Sequence, residues 1–343
     1  MKLQNNLLIF LLDPLRRKVY AIVNVTFWGI EEVSIMHRSH HLRIRSLLVA
    51  AASALLFAPA IATSTVTAQA ASVNPSSATL KKSARYYRKH AKTLGKKYKL
   101  AFDAQTGLKK NGKATVYINT KDAKLKSSVK IAMNYWNKKL GKKEFVQGSK
   151  KHHTLTFSVS KAKATKNDQS DAWWTPGKKK LQVRWSYYQA ETKNIGIAMT
   201  NQLNDAFYKK YAKTIEAKAK ANLTAKGVTS TDSNYQTEFN AEAEAVEKSL
   251  PAYATLKNEV KGVNTVAKNG RMYEYASTIA HELGHVMGLN HSPKKSDLMY
   301  FESGSNNVYS YKKVNQGLSK YNPITKTDKN RAKLALKIYT AVH

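Results

Sequence analysis

Apolar positions recur along the chain in two rhythms, and each change of rhythm marks an element. ATVYIN at 114–119 alternates β-branched and aromatic residues with smaller or polar ones, which predicts a strand. In SSVKIAMNYWNKKL at 127–140 the period lengthens, and Val129, Ala132, Met133, Trp136 and Leu140 fall on one helical face. Residues 145–146 and 154–160 (TLTFSVS) predict further strands, 171–177 (DAWWTPG) an edge element, and 181–188 (LQVRWSYY) another strand. From 189 to about 270 the chain is rich in Ala, Glu and Lys, which predicts two helices, at 206–223 and 240–260, around a loop at 227–233. Residues 271–287 predict a helix with Ile279, Leu283, Val286 and Met287 turned to the core. A last helix at 325–342 has Thr325 and Asp328 as its N-terminal cap and Ala332, Leu336 and Tyr339 as its stripe.

Upstream, the pattern is different. The apolar run at 7–12 is too short to span a bilayer and ends at Asp13 and Pro14. Met36 opens a basic stretch, residues 47–62 are apolar, and Ala68-Gln69-Ala70 fits a small-x-small cleavage site. The expectation is an extension at 1–35, a signal peptide at 36–70, and a mature chain that is secreted without a transmembrane segment. Residues 71–113 are rich in Ser, Lys and Tyr and predict a basic arm, a propeptide-like segment or the first layer of the domain, with His90 as a solvated side chain. His152 and His153, among lysines, predict surface positions.

Composition narrows the setting. There is no cysteine, so no disulfide supports the fold. Lys and Arg number 58 against 22 Asp and Glu; residues 1–70 hold 7 and 3 of these, leaving 51 basic and 19 acidic side chains in the rest. Such a field favours polyanions. The basic residues are scattered and accompany no nucleic-acid motif, so nucleic acid is not the expected partner, and anionic cell-wall polymers or acidic extracellular substrates are the candidates.

Residues 277–300, STIAHELGHVMGLNHSPKKSDLMY, carry the chemistry. His281 and His285 are four apart and stack on one helical face, within reach of one metal ion. Glu282 stands beside them, where a carboxylate can act on a metal-bound water. Gly288 suits a left-handed helix stop, after which His291 returns as a third ligand. Three imidazoles leave a fourth position for water, the pattern of catalytic zinc.

HELGHVMGLNH matches HExxHxxGxxH and resembles the metzincin metallopeptidases; Ser292 and Leu298-Met299-Tyr300, with Met299 eight residues after His291, resemble their matrixin branch. Phe301 departs from the proline that commonly follows there. The resemblance implies an α+β fold: a metzincin-type zincin domain at 114–343, with a twisted mixed β-sheet, an active-site helix, a C-terminal helix, and here a helical insertion at about 190–270. It implies a bacterial secreted form, a monomer, acting as a zinc-dependent endopeptidase on protein or peptide substrates. One catalytic Zn2+ would be held by His281, His285 and His291, with Glu282 as general base to a zinc-activated water and Met299 as an apolar floor. In metzincins the strand bordering the cleft pairs with an extended substrate, and 171–176 has that position; the segment after the Met-turn walls a specificity pocket. Two family attributes are not carried over. Without cysteine there is no cysteine switch, and no carboxylate cluster supports structural calcium, Asp168, Asp171, Glu191 and Asp205 being dispersed. The alternative function is a basic cell-wall adhesin whose zinc site is not catalytic.

Overall fold

The computed structural model describes residues 72–343 apart from 303–305 and 319, so the expected extension and signal peptide at 1–70 lie outside the described residues. Two short helical stretches open the described chain, α1 (Ser77–Leu80) and α2 (Ala84–Tyr98), followed by a 3-10 turn at Phe102–Gly107. Tyr87, Leu94 and Tyr98 of α2 pack against Leu334, Ile338 and Ala341 near the C-terminus. The basic segment is therefore a folded layer of the protein.

Five strands follow, β1 (Ala114–Asn119), β2 (Phe145–Gly148), β3 (Leu155–Ser160), β4 (Ala172–Thr175) and β5 (Lys180–Arg184), in the order β2-β1-β3-β5-β4. The pairs β1–β2, β1–β3 and β3–β5 are parallel, and β4 is an antiparallel edge on β5. Burial alternates, with Val116, Leu155, Phe157, Leu181 and Val183 almost fully enclosed and the residues between them half-exposed. One face of the sheet thus holds the core.

Helix α3 (Ala123–Leu140) enters that core through Leu125, Val129, Ala132, Met133 and Trp136. It begins four residues before the apolar pattern does, because the Asp122 side chain accepts from the Leu125 amide at 2.7 Å. The strand expected at 181–188 ends at Arg184. Its partner β3 runs out at Ser160, the last residue paired with it, and a strand without a ladder gains nothing by continuing. Trp185 instead opens α4 (Trp185–Ala225), a 41-residue helix about 60 Å long at 1.5 Å per residue.

Helix α5 (Tyr235–Ser249) and helix α6 (Pro251–Val286) return toward the sheet. The single helix expected at 240–260 is broken at Leu250, which is extended (φ −74°, ψ 129°) before Pro251. The proline ring disfavours helical backbone in the residue before it and is itself tolerated as a first helical residue. The helix expected from 271 is the C-terminal part of α6, so the return arm of the insertion and the histidine helix are one rod. Ile195, Met199, Val263, Val266 and Ala267 pack the base of this hairpin; Phe207, Ile215, Val246 and Leu256 form a separate distal core. The segment after the Met-turn carries a short helix α7 (Tyr311–Asn315), and Val308, Val314 and Leu318 pack on the hairpin base. Helix α8 (Lys326–Val342) closes the chain with a capping box between Thr325 and Asp328.

Candidate metal centre

His281, one turn before His285 on α6, is buried, His285 is half-buried and His291 is exposed. Their rings lie 4.9, 5.0 and 5.3 Å apart, and one ligand atom from each falls within 4.8 Å of the others. Among the described residues these three form the group with metal-ligand spacing. Nδ1 of His281 meets the Leu298 carbonyl, and Nδ1 of His285 the Leu289 carbonyl, both at 2.7 Å. A carbonyl only accepts, so both Nδ1 atoms carry protons and both Nε2 atoms keep lone pairs for a metal. Burial, first, and the neighbouring imidazoles lower the pKa of His281 to about 3. Burial likewise lowers His285 to about 4 and draws His291 down. The set is neutral at physiological pH, as metal ligands must be, and its three imidazoles are compatible with one zinc ion.

Glu282 is enclosed, and burial pushes its carboxyl up to about 8, against a hydrogen bond from the Trp174 backbone amide that lowers it. That amide belongs to edge strand β4, so the Glu282 carboxyl and the sheet edge are in contact. The Trp174 indole donates to the Ala104 carbonyl at 2.8 Å, which makes this ring a packing residue. Trp173 lies under the Arg184 guanidinium, 5.2 Å from its ring.

Gly288 adopts φ +86°, the left-handed stop that its residue type suggests. Ser292 then donates to Asp297 at 2.7 Å, and its amide donates to the Met299 carbonyl at 2.7 Å, which folds the Met-turn back under the site. Met299 is fully buried, and a Cβ on Gly284 would run into its sulfur. Nothing in the sequence pattern announced three supports. Asp328, read as a helix cap, also accepts from the amides of Leu298 at 2.9 Å and Met299 at 3.4 Å. Trp136, read as core, donates to the Ala280 carbonyl at 2.7 Å, just before His281. Arg331, fully buried, donates to the backbone carbonyls of Tyr98 in the N-terminal layer and of Asn290, directly before His291. Each partner is more than 25 residues distant in sequence, beyond any local signal.

The other candidates fall elsewhere. His90 stacks on Tyr86 at 4.1 Å, half-buried, and His152 and His153 are exposed. Asp168 pairs with Arg184 at 2.9 Å, whereas Asp171 and Glu191, dispersed in sequence, come together with Glu274 around Tyr275 and raise its pKa along with burial.

A family model described as matrixin matches residues 111–316, more than half of the chain. The chain belongs to the matrixin family. No curated protein and no solved structure matches it. As a matrixin it is a metallopeptidase of metzincin fold, and its mixed five-stranded sheet with flanking helices agrees with that placement. The family implies zinc, with which the histidine cluster is compatible. No helix among the described residues is long and apolar enough to cross a membrane. The matrixin match begins after the N-terminal layer and ends before α8, so Asp328 and Arg331 both lie outside it.

Proposed function

We propose that this matrixin is a secreted zinc-dependent endopeptidase in which His281, His285 and His291 hold one Zn2+ and Glu282 is the general base. The observation that carries the reading is the convergence of three neutral imidazoles beside one enclosed carboxylate. When bound, zinc supplies Lewis acidity to the scissile carbonyl and lowers the pKa of water toward ~7.

The chain's own groups do the rest. The Leu298 and Leu289 carbonyls fix the rings of His281 and His285, so the ligand geometry is set before the metal arrives. Glu282 takes the proton of the attacking water and hands it to the leaving amine. Its raised pKa keeps it a competent acid for the second transfer, and the positive charge of the ion favours the carboxylate needed for the first. The outer edge of β4 offers backbone groups to an extended peptide, which would lie beside Glu282. Met299 closes the floor beneath the histidines. Secretion rests on the signal-peptide pattern at 36–70, and the N-terminal residue of the natural protein tests it: a mature chain starting before residue 60 overturns cleavage near residue 70.

For the mechanism, Glu282→Gln should keep one zinc per chain and lose at least about a hundredfold in casein cleavage, since general acid–base catalysis contributes about 10²–10⁴-fold. Retained turnover would overturn the role of Glu282. Zinc binding by the wild type without internal cleavage of casein or gelatin would favour the adhesin.

A further inference from the structure

Met287, Gly288, Leu289 and Asn290 join the second histidine to the third, and every carbonyl in this turn has a donor. That of Met287 accepts from Gln105 Nε2 at 2.9 Å and that of Gly288 from the Ala101 amide at 2.9 Å. Leu289 accepts from His285 Nδ1, and Asn290 from Arg331 Nη2 at 2.8 Å. The Asn290 amide completes the set by donating to the Lys99 carbonyl at 2.9 Å, so Leu100 and Leu289 face each other in an antiparallel bridge. Three of these five contacts come from the N-terminal layer. A fourth, Arg331, also donates from Nε to the Tyr98 carbonyl at 3.0 Å and from Nη2 to that of Lys99 at 2.6 Å, tying the layer to the turn.

The fit is close as well as bonded. Gln105 is 3% exposed and Arg331 fully buried. A Cβ on Gly288 would stand 2.8 Å from the Gln105 side chain, so a glycine there lets the two approach. Lys99 holds φ +53°, unfavourable for a residue with a Cβ, which persists where surrounding contacts over-determine it. His291 has no such enclosure of its own, and its position depends on the turn that precedes it.

We propose that residues 98–105 are a brace for the third histidine, with Gln105 and Arg331 as positioning residues, and that residues 72–110 stay in the working enzyme rather than being removed as a propeptide. The inference rests on the zinc reading above. A ligand on an unbraced loop must be ordered when the ion binds, at a cost in affinity; the brace meets that cost during folding. Hydrogen-bond partners behind metal ligands are typically worth 10–100-fold in affinity.

The test uses the full chain and zinc itself. Zinc affinity is measured by chelator competition, with the urea midpoint of the same metal-free proteins beside it. Gln105→Met, similar in length but without donors, should weaken zinc binding at least about tenfold, in keeping with that range. Arg331→Lys keeps the charge without the fork and should also bind more weakly. A purely structural role would lower the urea midpoint and leave the affinity of the folded protein unchanged, and Gln105→Met behaving so overturns the proposal. Should the Arg331 variant fail to fold, hydrogen exchange on the wild type still decides. Zinc should slow exchange at the Ala101 and Asn290 amides together, because the coupling is reciprocal; slowing at neither overturns the brace. An active natural enzyme beginning at residue 111 or later would overturn it too. If the wild type binds zinc but cleaves no peptide, the peptidase reading fails while the affinity comparison still tests the brace; if it binds no zinc, both fall.

Discussion

Gly284, directly before His285, shows how tightly single positions are set at this site. Alanine in a helix interior is ordinarily favoured over glycine by ~1 kcal/mol, but here a Cβ would meet the Met299 sulfur and come within 3.3 Å of the Trp136 ring. The steric term should win: Gly284→Ala is expected to destabilise the protein by about 1–3 kcal/mol, the usual cost of overpacking, as read from urea unfolding. A stabilised variant would mean that Met299 yields freely. The histidines make a second prediction at this scale. Burial holds His281 and His285 at about 3 and about 4 in the fold, against ~6.5 in an unfolded chain. Between about pH 6.5 and 4 the unfolded chain therefore binds more protons, and stability falls as pH falls. The metal-free protein should lose urea resistance over that window, and the chain with both histidines changed to Asn should lose less. Equal losses would rule out these two groups as the cause.

At the scale of elements, α6 has two occupations. Its first two-thirds form the return arm of the hairpin, and its last turns carry His281, Glu282 and His285. The distal core of Phe207, Ile215, Val246 and Leu256 is separate from the core beneath the sheet, so the two ends should open independently. Leu256→Ala removes buried methyl groups and is expected to cost about 2–5 kcal/mol locally. Hydrogen exchange should quicken in α5 and around 253–260, with little change at 279–286; quickening at both would show that the rod transmits the loss. The helices of the hairpin were legible because their Ala, Glu and Lys content is a local propensity. Continuity of α6 was not, since the hairpin base and the metal centre present different faces to different neighbours along one rod.

For the whole molecule, charge is the dominant unbalanced quantity, with 51 basic and 19 acidic side chains from residue 71 onward. Several of those acids, including Glu282, Asp297 and Asp328, are buried, so they cannot pair with the lysines on the surface. Self-repulsion of this kind is screened with a Debye length of ~10 Å at 0.1 M salt and ~3 Å at 1 M. The melting temperature should therefore rise as sodium chloride is raised from about 0.01 M to 0.5 M, well past the first screening length. A flat response would mean that the surface cations are too far apart to repel.

The sequence by itself picked out the candidate metal ligands, the candidate base beside them, the strands other than the end of β5, and the closing helix. Each of these is written in a spacing shorter than a helix or a strand, where 3.6- and 2-residue periods act directly. Tertiary structure alone decided what holds those residues in place. Arg331, Asp328, Trp136 and Gln105 reach the site across 30 to 182 residues, and such hydrogen bonds leave no periodic trace in the chain. It likewise selected, among the readings open for this basic segment, a packed layer at 72–110, because Tyr87, Leu94 and Tyr98 find their apolar partners at the far end of the sequence, in α8.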